Sequence, residues 1–206
     1  MRRFVPVVTA LAATSALLPR YALMDSDDED LKEARRAQVE RRCMDTAKRL
    51  VANALPADPA RNRKLTLEWE EDGVQYFYVK RAYKGKFGKE GLSHARVAQT
   101  DINLPVNECV EKWASASQRA DWDAQVVSST VLESLGDDHT LVRLKGVSGY
   151  VLPARDYVVW NWKTTGAIAG LRDFSSAAVV SVDASNEVPT YWSSVRGMTN
   201  TVVVFE

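Results

Sequence analysis

From Val126 to Phe205 the chain is a series of short β-favouring runs separated by turn residues, and this pattern constrains the fold most. The runs are Val126–Leu135, Thr140–Lys145, Tyr157–Trp162, Ala177–Val182, Tyr191–Arg196 and Thr201–Phe205. Gly136-Asp137-Asp138, the glycine-rich stretch 146–154, Gly166–Gly170 and a loop containing Pro189 lie between them. Connections this short suit hairpins, so the pattern predicts an antiparallel sheet.

Upstream the periodicity changes. Val39, Cys43, Ala47, Leu50, Val51 and Ala54 recur at steps of three and four, with Arg, Lys and Glu between them. That spacing predicts an amphipathic helix over Leu31–Leu55, ended by Pro56 and Pro59. Leu65, Leu67 and Trp69 alternate with polar residues as a strand does. Glu71-Asp72-Gly73 supplies turn chemistry, and Val74–Lys80 follows as the partner strand. Lys84–Gly91 reads as a hairpin tip; its glycines lack the strand–loop–helix setting of a phosphate cradle. A strand over Leu92–Leu104 precedes Pro105, which suits the first turn of a helix. Val106, Cys109, Val110 and Trp113 form that helix's stripe, predicted to run to about Ser117. The sum is an α+β fold with an antiparallel sheet.

Composition narrows the function. Lys plus Arg and Asp plus Glu are 27 each, so no basic excess points to nucleic acid. Cys43 and Cys109 lie far apart and form no CxxC pair, which speaks for small buried hydrophobes and against a disulfide framework or a zinc site. His94 and His139 are read as surface or strand-end residues. No metal or other cofactor is expected. No Gly-x-Ser-x-Gly, His-Glu-x-x-His or paired acid–base set stands out, so an enzyme is not expected.

Residues 1–24 contain no acid, and Arg2 and Arg3 precede an apolar run from Phe4 to Leu18. The run is shorter than the ~20 residues that span a bilayer. It fits a secretory signal, a mitochondrial presequence or an ordinary apolar helix, and the residues leave these open. Asp25–Asp30 reads as an acidic linker whose charge suits the N-terminal end of the following helix.

Several motifs occur in a telling order. They are Trp69 with Asp72-Gly73-Val74, Arg119-Ala120-Asp121-Trp122-Asp123, Arg155-Asp156-Tyr157-Val158, Ser181-Val182, and Val195-Arg196. In this order and spacing the segment 31–206 resembles the START (steroidogenic acute regulatory protein-related lipid transfer) domain family. The resemblance implies a helix-grip fold, in which a curved antiparallel sheet wraps a C-terminal helix around a lipid-sized tunnel. It also implies one bound lipid (phospholipid, sterol or ceramide-like), transfer or sensing of that lipid, and an intracellular protein that meets membrane surfaces transiently. The family continues past the last strand seen here into a further strand and the lid helix, which this sequence lacks. The alternative is therefore a non-transporting regulatory or protein-interaction module derived from the same fold.

The resemblance also suggests where a ligand sits. The buried ion pair of sterol carriers maps to Asn161 and, nearby, Val142, so the pair is missing. Asn161 is the expected polar anchor, with Val142, Val159, Tyr157 and the nearby tryptophans as walls and Arg155 as a further ligand-binding residue. An amide hydrogen-bonds a headgroup at lower desolvation cost than a charge. Alternation puts Asn161, Val159 and Tyr157 on one face and Val158, Trp160 and Trp162 on the other, leaving open which is inner. Arg155 and Asp156 face opposite sides and are expected to pair with different neighbours, fixing the loop. Gly149, Tyr150, Val151 and Leu152 form the expected gate, flexible through glycine and apolar at its tip.

Overall fold

The computed structural model describes residues 5–11, 29–54, 65–79, 94–147, 154–165, 177–189, 195–197 and 199–205. The elements run β1 (Val5–Leu11), α1 (Glu29–Ala54), β2 (Leu65–Glu71), β3 (Val74–Val79), β4 (His94–Gln99), α2 (Val106–Ala114) and α3 (Ala116–Trp122). Then follow β5 (Val126–Ser134), β6 (His139–Gly146), β7 (Arg155–Thr165), β8 (Ala177–Asp183), β9 (Val195–Arg196) and β10 (Asn200–Phe205). The strands form one sheet in the order β2-β3-β4-β1-β10-β8-β7-β6-β5, with β9 attached to β7. Every pairing is antiparallel except β7 with β9.

Helix α1 lies on one face because its stripe is apolar at the predicted steps. Val39, Cys43, Ala47 and Leu50 are buried against Phe77, Val97, Leu141, Val158, Trp160, Val180 and Val202. Burying a Leu or Val side chain contributes about 1.5–3 kcal/mol, so this stripe carries much of the helix's attachment. Its flank is tied down by charge. Arg35 donates to Glu133 at 2.9 Å, Arg36 to Asp138 at 2.7 Å, and Arg42 to Glu187 and to the Asp183 carbonyl. Glu187 also accepts the Trp160 indole N–H at 2.9 Å. Glu29 and Asp30 fall in the first turn of α1, so the acidic segment ends inside the helix rather than before it.

Several elements depart from the local reading. Residues 5–11 of the expected leader or helix are extended and pair on both sides, with β4 and with β10. An apolar run bounded by turns reads alike as a buried strand and as a helix, and pairing with distant strands decides it. The single helix expected after Pro105 breaks at Ser115, whose extended backbone separates α2 from α3. The Ser115 hydroxyl accepts the Gln118 N–H at 3.4 Å, as a cap does. Only Val195–Arg196 of the run 191–196 is described as strand, and it lies parallel to β7. His139 begins β6 but is 1 % exposed, packed near Trp162 and 3.0 Å from Asp138, so it is not a surface residue.

The β2–β3 turn forms as expected, with Asp72 and Gly73 both at positive φ (51° and 76°). That is the two-residue hairpin chemistry that Asp-Gly favours. Cys43 and Cys109 are buried free thiols, and burial pushes Cys43 up to about 12. Among the described residues no helix is long and apolar enough to cross a membrane, and no group of three His, Cys, Asp or Glu is placed to hold a metal.

Candidate functional site

The opposite face of the sheet is covered differently. Helix α2 packs Cys109 and Val110 on Ala177, Val179, Val203 and Phe205, and Ala116 of α3 rests on Val142 and Val159. The break at Ser115 turns the chain between these two patches. A cavity of about 360 Å³ lies beneath the turn. Its floor is the sheet: Val142, Leu144 and Gly146 of β6, Tyr157, Val159 and Asn161 of β7, Ser181 of β8 and Thr201 of β10. Its roof is Trp113, Ala114, Ser115, Ala116 and Arg119, with Asp123, Gln125 and Val126 at one side.

The face left open by alternation is now assigned. Tyr157, Val159 and Asn161 turn to the cavity, while Val158, Trp160 and Trp162 pack in the cluster under α1. Val142, Val159, Tyr157 and Asn161 are thus brought together. The expected walls of nearby tryptophan are not, because Trp160 and Trp162 sit on the far face; the indole in the cavity is Trp113. Arg155 is exposed at the start of β7 and does not line the cavity. Gly149, Tyr150, Val151 and Leu152 lie outside the described residues.

The polar side chains of the cavity are mostly neutral, among them Ser115, Gln125, Tyr157, Asn161, Ser181 and Thr201. Ser181 Oγ donates to Asn161 Oδ1 at 2.7 Å across the β7–β8 pairing in which the two residues are direct partners. The one charged pair is Arg119 with Asp123, 2.7 Å apart and one helical turn from each other. The Arg119 guanidinium sits 4.4 Å from the centroids of both Trp113 and Trp122, whose rings are 5.1 Å apart. Burial pushes Arg119 below its ordinary value, and the charge and hydrogen bond of Asp123 oppose that shift. Cation–π contact and a carboxylate partner together hold the cation out of water. The arrangement pins α3 to α2 across the Ser115 break, so it fixes the roof. The sequence shows Arg119 and Asp123 only as a motif. The distant Trp113 partner is legible in hindsight from helical spacing, since Trp113 ends the α2 stripe.

Arg155-Asp156 divides as alternation requires. Asp156 is 2 % exposed and accepts from Arg143 through two bonds, 2.9 Å to Oδ1 and 2.6 Å to Oδ2. Arg196 of β9 reaches the same Oδ2 at 3.1 Å. Both guanidiniums also donate to the Pro189 carbonyl, at 3.4 and 3.0 Å. One carboxylate thereby joins β6, β7, β9 and the 185–189 turn. Sequence reading did not single out Gly197, beside this clamp. A Cβ there would lie 2.3 Å from the Tyr157 ring, so only glycine lets β9 close against that cavity-wall tyrosine.

No family model matches the chain, and no curated protein matches it. Solved structures do. Human StAR-related lipid transfer protein 5 superposes with a TM-score of 0.59 at 15 % identity, over 82 % of each chain. The STAR-related lipid transfer protein from Xanthomonas axonopodis gives 0.53 at 12 %, over 69 % of this chain and 79 % of that one. Human STARD10 gives 0.52 at 12 %, over 91 % of this chain and 71 % of that one. The chain therefore has a START-like α+β fold.

Proposed function

We propose that this chain is a non-enzymatic module that binds one lipid in the cavity between the sheet and the α2–α3 turn, for transfer or sensing at membrane surfaces. The observation that carries the reading is the cavity's lining. Apolar side chains from α2, α3, β5, β6 and β7 line it beside the neutral Asn161–Ser181 pair, with the Arg119–Asp123 ion pair at its upper edge. The fold's similarity to solved lipid transfer proteins supports the same reading. The volume falls within the ~300–1,000 Å³ of small-molecule sites, which are mostly apolar with a few orienting polar groups. Burying ten methylene groups contributes about 8 kcal/mol of gross transfer free energy, which offsets the cost of immobilising a ligand. The apolar wall thus supplies affinity, and Asn161 supplies orientation.

The anchor role follows from hydrogen-bond capacity. Ser181 occupies the Asn161 carbonyl, and the amide NH2 then serves a ligand hydroxyl or carbonyl. A net hydrogen bond contributes about 1 kcal/mol, roughly a five-fold change in affinity. The test has two parts. Solvent extraction and mass spectrometry of the purified protein should yield stoichiometric lipid. Asn161→Leu should then lower affinity about five-fold for lipids with a hydroxyl or carbonyl headgroup, with little change for a bare hydrocarbon chain. Unchanged affinity for every lipid tested sinks the anchor role. A protein that yields no lipid and takes up none from a panel sinks the whole reading, and favours the non-transporting interaction module.

A further inference from the structure

We propose that Val5–Leu11 is a permanent strand of the folded protein, and is not removed as part of a leader. The pairing carries this. Val7–Leu11 pair residue by residue with Ala98–His94, and Val5, Val8, Thr9 and Ala10 pair with Val204, Val202, Thr201 and Asn200. A strand with ladders on both sides leaves no free edge, and β-branched, apolar residues suit such a strand. The segment VPVVTAL fits that description, with β-branched residues at Val5, Val7, Val8 and Thr9.

Its place in the sheet makes it indispensable. Among the described strands, β1 is the only link between the β2-β3-β4 meander and the β10-β8-β7-β6-β5 half. Removing it divides the sheet and bares two interior edges, β4 and β10. The β10 edge includes Val202, Val203, Val204 and Phe205, each at most 2 % exposed. An uncovered edge of that composition is a template for aggregation. The neighbouring strand β10 also supplies Thr201 to the cavity floor, at the register position opposite Thr9. Loss of β1 therefore removes the lateral support of that wall.

Pro6 is the residue that argues against an interior strand, and the register accommodates it. Proline lacks the N–H a ladder needs and is tolerated at bulges and strand ends. The β1–β4 ladder begins at Val7, after Pro6, and the β1–β10 register shifts between Val5 and Val8, across Pro6. The irregularity falls at the one position unable to donate.

Two measurements on the full-length chain decide the matter. Neither depends on lipid binding. Hydrogen-exchange mass spectrometry should show the amides of residues 7–11 protected as strongly as those of β8 and β10. Complete exchange of 7–11 within seconds, with β8 still protected, overturns the proposal. Intact-mass and N-terminal peptide analysis of the protein isolated from the cells that naturally express it should place the mature start at or before Val5. A mature start beyond Leu11 overturns it equally.

Discussion

The Asp156 clamp permits a prediction worked through from geometry. Replacing Asp156 with Ala removes the carboxylate shared by Arg143 and Arg196, whose side chains are only 13 % and 12 % exposed. Three charge-assisted contacts of 2.6–3.1 Å disappear together, and two largely buried cations lose the carboxylate they share. Burial already pushes Arg196 below its ordinary value, with Asp156 the leading opposing influence and nearby Arg143 acting to lower it further. Breaking a buried pair by removing one partner costs about 3–5 kcal/mol, mostly the penalty of the stranded charge. With a urea dependence of about 2 kcal/mol per molar, the unfolding midpoint falls by about 1.5–2.5 M. The assay is equilibrium urea unfolding followed by tryptophan fluorescence and far-UV circular dichroism at pH 7. If stranded charge is the cause, adding Arg196→Met to Asp156→Ala should recover part of the loss, because one cation is gone. A midpoint shift under 0.5 M, by the same conversion about 1 kcal/mol, refutes the clamp. A double variant whose loss equals the sum of the two single losses refutes the coupling.

Two further outcomes follow. Gly197→Ala places a methyl inside the contact distance of the Tyr157 ring, so it should cost about 1–3 kcal/mol by overpacking and shift lipid selectivity through the displaced wall; unchanged urea unfolding and unchanged lipid uptake would refute the close approach. Asp183→Asn should stabilise the protein at pH 7. Burial raises the Asp183 carboxyl above its ordinary value, outweighing its Ser185 hydrogen bond, and Oδ1 has no hydrogen-bond partner. A raised folded value means that the protonated acid favours the native state below the unfolded value, and that this contribution is lost as pH rises through the folded value. The advantage of Asn should therefore shrink steadily as urea unfolding is repeated from pH 7 toward pH 4, and an advantage that grows toward acid would contradict the assignment.

What the sequence discloses and what it conceals divide along physical lines. The α1 stripe, the Asp72-Gly73 turn and most of the strands from Val126 onward are local patterns, and each is legible because its period or turn chemistry is written in neighbouring residues. The role of Val5–Leu11 is not local. An apolar run that precedes acidic residues carries no local sign of the β4 and β10 ladders on either side of it. Parallel β9 escapes for the same reason, since its ladder joins Val195 to Arg155 across a long stretch of chain. Within the site, alternation groups Tyr157, Val159 and Asn161 correctly but assigns no side. The side follows from where α1 packs, which depends on the whole sheet. The Trp113–Arg119–Trp122 stack and the Gly197–Tyr157 contact are tertiary events with no periodic signature. His139 does stand at a strand end, but its burial beside the Trp162 ring is a tertiary feature that no local pattern announces.

Strand β7 has a consequence for how this protein can change. Its odd-numbered residues 157, 159 and 161 belong to the cavity, and its even-numbered residues 158, 160 and 162 belong to the seam with α1. Position parity thus separates two inventories along one stretch of backbone. Substitutions at odd positions can re-line the cavity for a different occupant without disturbing the helix behind it, and even positions answer to the core on the α1 side. The separation survives only while the register holds, because a slip of one residue would carry Trp160 into the cavity and Asn161 under the helix. Asp156, gripped by arginines from β6 and β9, is the peg that forbids the slip, so the charged clamp protects the freedom of an apolar site it never touches.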